Sequence, residues 1–282
     1  MANVTEKLIS LYGNLDKVVM PDKKSLTEIV EDIRVLLFPN HFGTPKLTDA
    51  NAKEIVEKRL DDLKIKLKAQ LCLAYGCNHE KCSEICDKAQ SVCDEFINYL
   101  PTLKEVLDKD IIATLNGDPA AESIDQIIFC YPGIYAITIY RIAHYLHERQ
   151  VPVIPRILTE HAHSVTGIDI HPGASIGNYF FIDHGTGIVI GETTIIGDNV
   201  KIYQGVTLGA LSIKNRQATL GKKRHPTIKN NVTIYSEASI LGGDTIIGEN
   251  SIIGGNAFIT ESIPDNSKAY TELPKLNLKC KK

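Results

Sequence analysis

From residue 167 onward, branched aliphatic residues recur every six positions. Ile170, Ile176, Ile182 and Ile188 form one block, and Ile190, Ile196, Ile202 and Leu208 a second. Ile228, Ile234, Ile240 and Ile246 form a third, and Ile247, Ile253 and Ile259 a fourth. Glycine follows the aliphatic in several of them, as in Ile176–Gly177, Ile196–Gly197 and Leu208–Gly209. A period of six suits neither an α-helix nor an ordinary strand, which repeat about every 3.6 and every two residues. It suits a chain wound round a triangular prism, one six-residue face at a time. Each aliphatic then points inward and stacks on its equivalents in neighbouring coils, and three faces make a coil of about 18 residues. Glycine relaxes the corners, where φ can be positive. The expected fold is a parallel β-helix of hexapeptide repeats, left-handed against the usual rule for parallel crossovers. The beat breaks once, between Leu208 and Ile228, around Lys214, Arg216, Lys222, Lys223 and Arg224. That insert is expected to leave the prism as one extruded loop, and long loops on rigid scaffolds are often functional.

The first half has a different grammar. Ser25 and Glu28 form a capping-box pattern ahead of Leu26, Ile29, Val30, Ile33 and Leu37 at helical spacing, and Pro39 stops that run. Thr48 is expected to open a second helix with the stripe Val56, Leu60, Leu63, Leu67, Leu71, ending near Gly76. A third carries Ile85, Ala89, Val92 and Phe96 and stops near Pro101; a fourth carries Leu103, Val106, Leu107 and Leu115 and ends at Gly117. Shorter helical stretches follow at about 123–130, 133–149 and 155–165. The fold class is therefore α+β: an α-helical N-terminal domain over 1–166, the β-helix over 167–264 and a C-terminal tail over 265–282.

Composition narrows the function classes. A formal net charge of −3 gives no nucleic-acid footprint. No apolar run of about 18 residues exists, so no membrane span is expected. The first residues lack the basic-then-apolar layout of a secretory signal. Seven cysteines in a chain of 282 do not read as a disulfide framework, which places the protein in the reducing cytoplasm. Cys72, Cys77, Cys82, Cys86 and Cys93 crowd together with His79 among them. Their spacing matches no compact zinc knuckle, and Cys82, Cys86 and Cys93 share one helical face, where cysteine packs as a small apolar residue. Packing is the favoured reading; metal binding and redox sensing stay open.

Hexapeptide cores need only aliphatic and small residues, so the ionisable residues among them stand out: Asp169, His171, Asp183, His184, Glu192, Arg224 and His225. Asp169 precedes His184 by 15 residues, close to one coil, so the two are expected within side-chain reach. A carboxylate on one ring nitrogen fixes the tautomer and leaves the other nitrogen as a base. Such a base can take a proton from a hydroxyl attacking a carbonyl, an effect worth about 10²–10⁴-fold.

Five segments carry a resemblance. Gly117-Asp118-Pro119-Ala120, Asp169-Ile170-His171-Pro172, Asp183-His184-Gly185-Thr186-Gly187, Gly191-Glu192-Thr193 and Arg224-His225-Pro226 resemble, in order, those of the serine O-acetyltransferase family of hexapeptide acyltransferases. The resemblance implies acetyl transfer from acetyl-CoA, as co-substrate, to the hydroxyl of L-serine, giving O-acetylserine for cysteine biosynthesis, with no metal required. It implies His184 as general base, Asp169 as its orienter, and His225 across from that base, binding substrate and helping to stabilise charge. Arg224 suits the serine carboxylate, since a guanidinium pairs bidentately. Asp118 and Asp183 suit the ammonium, with Pro119 in the same substrate segment; Glu192 is left as structural or as a support behind the residues that touch substrate. CoA contacts fall by resemblance on Gly209, Ala210 and Ser236, although Ala210-Leu211-Ser212-Ile213-Lys214 departs from the family's Gly-rich run. Lys222 or Lys223 could meet CoA phosphates.

The family also implies a homotrimer or hexamer with the site between subunits, and feedback inhibition by L-cysteine. A partnership with O-acetylserine sulfhydrylase rests on an apolar C-terminal anchor, and the ending Lys279-Cys280-Lys281-Lys282 weighs against it. The alternatives are an acetyltransferase for homoserine or a sugar, a hexapeptide zinc carbonic anhydrase, and a catalytically silent binding homologue. The carbonic anhydrase lacks its third histidine, because Asn230 stands at that position.

Overall fold

The structure is a computed structural model and describes residues 2–12, 20–77, 82–211 and 222–272. The helices among them are α1 (Ala2–Leu11), α2 (Lys23–Leu37), α3 (Ala52–Ala74), α4 (Cys82–Gly117), α5 (Ile124–Cys130), α6 (Pro132–Glu148) and α7 (Ile154–Thr166). The strands follow as β1 (Asp169–Ile170), β2 (Ser175–Ile176), β3 (Phe181–Asp183), β4 (Val189–Ile190), β5 (Ile195–Ile196), β6 (Lys201–Tyr203) and β7 (Thr207–Gly209). After the loop come β8 (Thr227–Ile228), β9 (Thr233–Ile234), β10 (Ser239–Leu241), β11 (Ile246–Ile247), β12 (Ile252–Ile253), β13 (Phe258–Ile259) and β14 (Lys268–Ala269).

Three local expectations need correcting. The cap of α2 is Asp22, whose carboxylate accepts the Ser25 N–H at 2.7 Å, so Ser25 sits inside the first turn rather than ahead of it. Thr48 does not open α3; its N–H is bound by Asn51 Oδ1 at 2.7 Å in a turn, and the helix starts at Ala52. The two helices expected on either side of Pro101 are one, α4, with the proline inside it. A mid-helix proline costs about 3 kcal/mol. Phe96, Leu100, Leu103, Leu107 and Ile111 form one buried stripe straight through that point, and burying each apolar side chain is worth about 1.5–3 kcal/mol. The stripe outweighs the break. No single helix among the described residues is long and apolar enough to cross a membrane.

The strands stack as three parallel sheets, the faces of a prism of about five coils. The first face is β1-β4-β7-β10-β13, the second β2-β5-β8-β11 and the third β3-β6-β9-β12-β14. Ile170, Ile190, Leu208, Ile240 and Ile259 stack inside the first face. Ile182, Ile202, Ile234, Ile253 and Ala269 stack inside the third. All but Ala269 are buried. Two of the repeat residues are out of register. Ile188 fills a corner, two positions before the inward Ile190, and Ile246 points outward, 40% exposed, while Ile247 takes the inward place. The cause is extra residues at corners. The third-to-first turn takes eight positions from Ile182 to Ile190, where Ile202 to Leu208 takes six, and the surplus pair is His184-Gly185, both at positive φ. The first-to-second turn takes seven from Ile240 to Ile247, through Gly242 at φ +107°. The prism also outlasts its expected end at 264, because β14 pairs with β12.

The helical domain is fastened to the first coil by buried polar bonds. Arg141 on α6 makes two bonds to Asp110 on α4, at 2.7 and 3.0 Å, and a third to the Gly177 carbonyl at 2.8 Å. Asp110, fully buried, also accepts the Phe180 N–H at 2.9 Å. Tyr140 donates to the Ala174 carbonyl at 2.5 Å.

Candidate active site

The ionisable residues of the prism gather at two different edges. The first lies where the third face turns into the first. His184 occupies the two-residue insertion, at φ +56°, with its side chain 72% exposed and Nε2 3.7 Å from Asp183 Oδ1. Gly185 follows at φ +89°, and a Cβ there would run into Ile168 and Ile182, so the bulge needs glycine. Asp118 reaches the same edge from the end of α4. Its Oδ2 accepts the Tyr131 hydroxyl at 2.6 Å and its Oδ1 the Ala120 N–H at 2.8 Å. Those two bonds hold its carboxyl below the ordinary carboxylate value, with a smaller pull from His184 and Lys201. The same bond, with Tyr131 as donor, pushes the Tyr131 phenol up to about 12. Pro119 stands second in the turn closed by the Ala121 N–H to Asp118 carbonyl bond, where its fixed φ is favoured. Lys201 ties the segment to β6 through the Gly117 carbonyl at 3.0 Å.

The second edge lies where the first face turns into the second. His225 is buried there against Gly191, where a Cβ would collide with the imidazole. The Thr193 N–H reaches His225 Nδ1 at 3.0 Å, and Thr193 Oγ1 lies 2.9 Å from the same nitrogen. The Thr193 oxygen also accepts the N–H groups of Arg224 and His225, at 2.9 and 3.1 Å. Its one proton therefore goes to Nδ1. An Nδ1 that accepts leaves the proton of neutral imidazole on Nε2. Burial, and then the Arg224 charge, push the His225 pKa down to about 4, so the ring is neutral at ordinary pH. Arg224 is ion-paired with Glu192. Against the cost of burial, that guanidinium holds the Glu192 carboxyl below its ordinary value.

Two expectations change here. Asp169 makes neither a hydrogen bond nor an ion pair with His184; its Oδ1 lies 3.7 Å from Arg156, and the carboxylate beside His184 is Asp183. The inserted bulge carries the imidazole out of line with the first face, which the coil-length argument did not anticipate. The two residues still leave neighbouring points of one corner, since Ile168 packs on Gly185. The CoA candidates divide as well. Ala210 lines a cavity of about 260 Å³ with Leu211, Arg224, Gly242, Asp244 and Thr260, and the Gly209 carbonyl accepts the Gly242 N–H at 3.0 Å beside it. Ser236 lies at the other edge of the first face, bonded through its carbonyl to Asn256 N–H at 2.9 Å. Lys223 is turned onto the carbonyls of His225 and Pro226. Lys214 and Arg216 lie outside the described residues.

The spacing argument missed Tyr131 and Thr193. Neither belongs to the hexad beat as an inward residue, and Thr193 gave itself away only as part of Gly191-Glu192-Thr193. Among the described residues, Glu160, His163 and Asp169 could also converge on a cation, but Arg156 already pairs with both carboxylates.

No family model matches the chain. The plasmid serine acetyltransferase of Synechococcus elongatus is 44% identical over 233 residues, 79% of this chain and 73% of that protein. The crystal structure of serine acetyltransferase isoform 3 from Entamoeba histolytica, in complex with cysteine, superposes with a TM-score of 0.78 at 35% identity, covering 99% of this chain and 93% of that one. That of serine acetyltransferase from Brucella abortus, in complex with coenzyme A, superposes at 0.59 with 27% identity, covering 87% and 93%. With its prism, its two histidine-bearing edges and relatives matched over most of their length, the chain belongs to the serine acetyltransferase family.

Proposed function

We propose that this chain acetylates the hydroxyl of L-serine with acetyl-CoA, giving O-acetylserine and CoA, and that His184 is the base. One observation carries the reading: an exposed imidazole, set out on a two-residue insertion, stands at an edge with two carboxylates, Asp183 and Asp118, suited to a substrate ammonium. His184 takes the hydroxyl proton as the serine oxygen attacks the thioester carbonyl. The tetrahedral oxyanion then collapses, the C–S bond breaks, and the CoA thiolate takes the proton from the imidazolium. Asp169 serves as orienter once the ring turns toward its corner. The Nε2–H of His225 is a donor for the oxyanion, and fixed donors of that kind are worth about 10²–10³-fold. Arg224 takes the serine carboxylate, with Glu192 holding the guanidinium. The first-face edge at Gly209 and Ala210, and Ser236 at the other edge, receive CoA. Every proton and charge in this sequence is carried by these side chains, so no metal is part of the reading.

His184 and His225 stand at different edges of one prism, so the reading places the site between copies, in a homotrimer or a hexamer of two trimers. The Entamoeba relative's complex with cysteine supports cysteine as inhibitor at the serine site, since the two differ only in the side-chain heteroatom. The proposed setting is the cytoplasm, with no nucleic-acid or membrane partner.

An acetyl-CoA assay with L-serine, L-homoserine and sugar amines tests the acceptor; serine is expected to be preferred. His184→Ala is expected to lower turnover at least about 10²-fold with the fold intact, and near-wild-type turnover removes His184 as the base. Mixing His184→Ala with His225→Ala subunits and reassembling them is expected to recover part of the activity. No recovery from verified mixed oligomers rules out the shared site.

A further inference from the structure

We propose that Cys72 and Cys86 form an oxidisable dithiol, which closes into a disulfide between α3 and α4 when it meets a two-electron oxidant of the peroxide class. The inference is independent of acetyl transfer. Cys72 lies near the end of α3 and Cys86 in the second turn of α4, and their sulfurs are 3.7 Å apart across the two packed helices. A disulfide needs about 2.05 Å, so side-chain rotation must close the remaining gap between the sulfurs.

The surroundings favour reaction at this pair. Both residues are partly exposed, so a small oxidant can reach them. Cys72 lies in the last turn of α3, whose negative end disfavours a thiolate, so Cys86 is assigned as the attacking sulfur. Cys93 is the contrast within the same helix: it is buried, donates to the Lys64 carbonyl at 3.5 Å, and burial pushes its thiol up to about 11. It should stay inert.

The chemistry balances. The Cys86 thiolate attacks one peroxide oxygen, the O–O bond breaks, and a sulfenic acid and hydroxide form. The Cys72 sulfur then attacks the sulfenic sulfur, forming the S–S bond and expelling hydroxide, which leaves as water with the thiol proton. In sum, two thiols and one hydrogen peroxide give one disulfide and two waters.

The test uses the full chain, purified reduced and treated with hydrogen peroxide. The expected result is a mass loss of about 2 Da, reversed by dithiothreitol, with one cross-linked peptide pair joining Cys72 to Cys86. Cys72→Ser and Cys86→Ser should each abolish the mass loss, and Cys93→Ser should keep it. A link through Cys77 or Cys82 instead overturns the proposal. So does a mass gain from sulfenic and higher acids without any cross-link. Stoichiometric zinc in the purified chain, with these thiols reacting only after chelation, overturns it in favour of a thiolate metal site. Peptide mapping on the unmutated chain decides the matter even where a serine variant fails to fold.

Discussion

Tyr131 donates a 2.6 Å hydrogen bond to Oδ2 of Asp118, and that bond is the largest cause of the carboxyl's lowered pKa. A group with a depressed pKa keeps its charge until pH falls through the folded value. Removing the donor raises that value, so the anion is lost at higher pH. A hydrogen bond to a charged group is worth about 1.5–3 kcal/mol. Tyr131→Phe is therefore expected to raise KM for serine about tenfold, with KM for acetyl-CoA unchanged and kcat less affected. The rise should be similar at pH 5 and pH 8, since both lie above the ordinary carboxylate value and the Ala120 N–H still favours the anion. Steady-state kinetics at both pH values checks this, and a serine KM that matches wild type throughout defeats the positioning role.

Gly191 lies flat beneath His225, in the place where a methyl group would meet the ring. The ring is otherwise held by Thr193. Gly191→Ala is expected to displace the imidazole and reduce kcat by about 10–10²-fold, as misplacement of a reacting group by about 1 Å does. Circular dichroism should be unchanged. Turnover equal to wild type means that the His225 position does not matter to the chemistry.

His225 also makes a prediction in pH. Its folded pKa of about 4 lies below the ordinary 6.5. Between those values the unfolded chain binds a proton that the folded one refuses, so stability falls as pH drops through that window. His225→Gln should remove that part of the slope. It should also leave the midpoint of any acid limb of kcat/KM above pH 5 in place while lowering its height, since His225 is already neutral there. Urea denaturation and pH–rate profiles read the two effects; a midpoint shifted by the substitution would make His225 the titrating base.

The Asp110–Arg141 pair joins α4 and α6 at the first coil, with both side chains buried. Removing one partner leaves a buried charge unpaired, which costs about 3–5 kcal/mol. Arg141→Met is expected to lose that much in denaturant titration, and replacing both residues by apolar ones should recover a good part of it. A single-variant loss under about 1 kcal/mol would show that water reaches the site.

The aliphatic beat announces the prism because inward placement is a matter of period alone: each of Ile170, Ile190, Leu208 and Ile240 carries its own instruction. Its departures were harder to read. Ile188 keeps the beat by count yet fills a corner, because two residues before it are surplus, and no local propensity marks which pair is extra. Pro101 read as a stop because a proline's local cost is visible in sequence, whereas the buried stripe that overrules it depends on α4's neighbours. At the site, the residue types in the Asp183-His184 and Arg224-His225 pairs were enough to single them out. The partner of His184 was not, since a spacing of one coil brings two backbones near each other without fixing a side-chain rotamer.

The sequence by itself determined the two-part architecture, the prism and the residues that carry charge along it, because these follow from periodicity and residue type read locally. Tertiary structure alone decided that His184 stands on a two-residue bulge, that Thr193 sets the proton of His225, that Tyr131 holds Asp118 and that Glu192 holds Arg224. Each of those depends on atoms brought within hydrogen-bonding distance by the stacking of separate coils and helices, and such contacts exist only once the whole register is set.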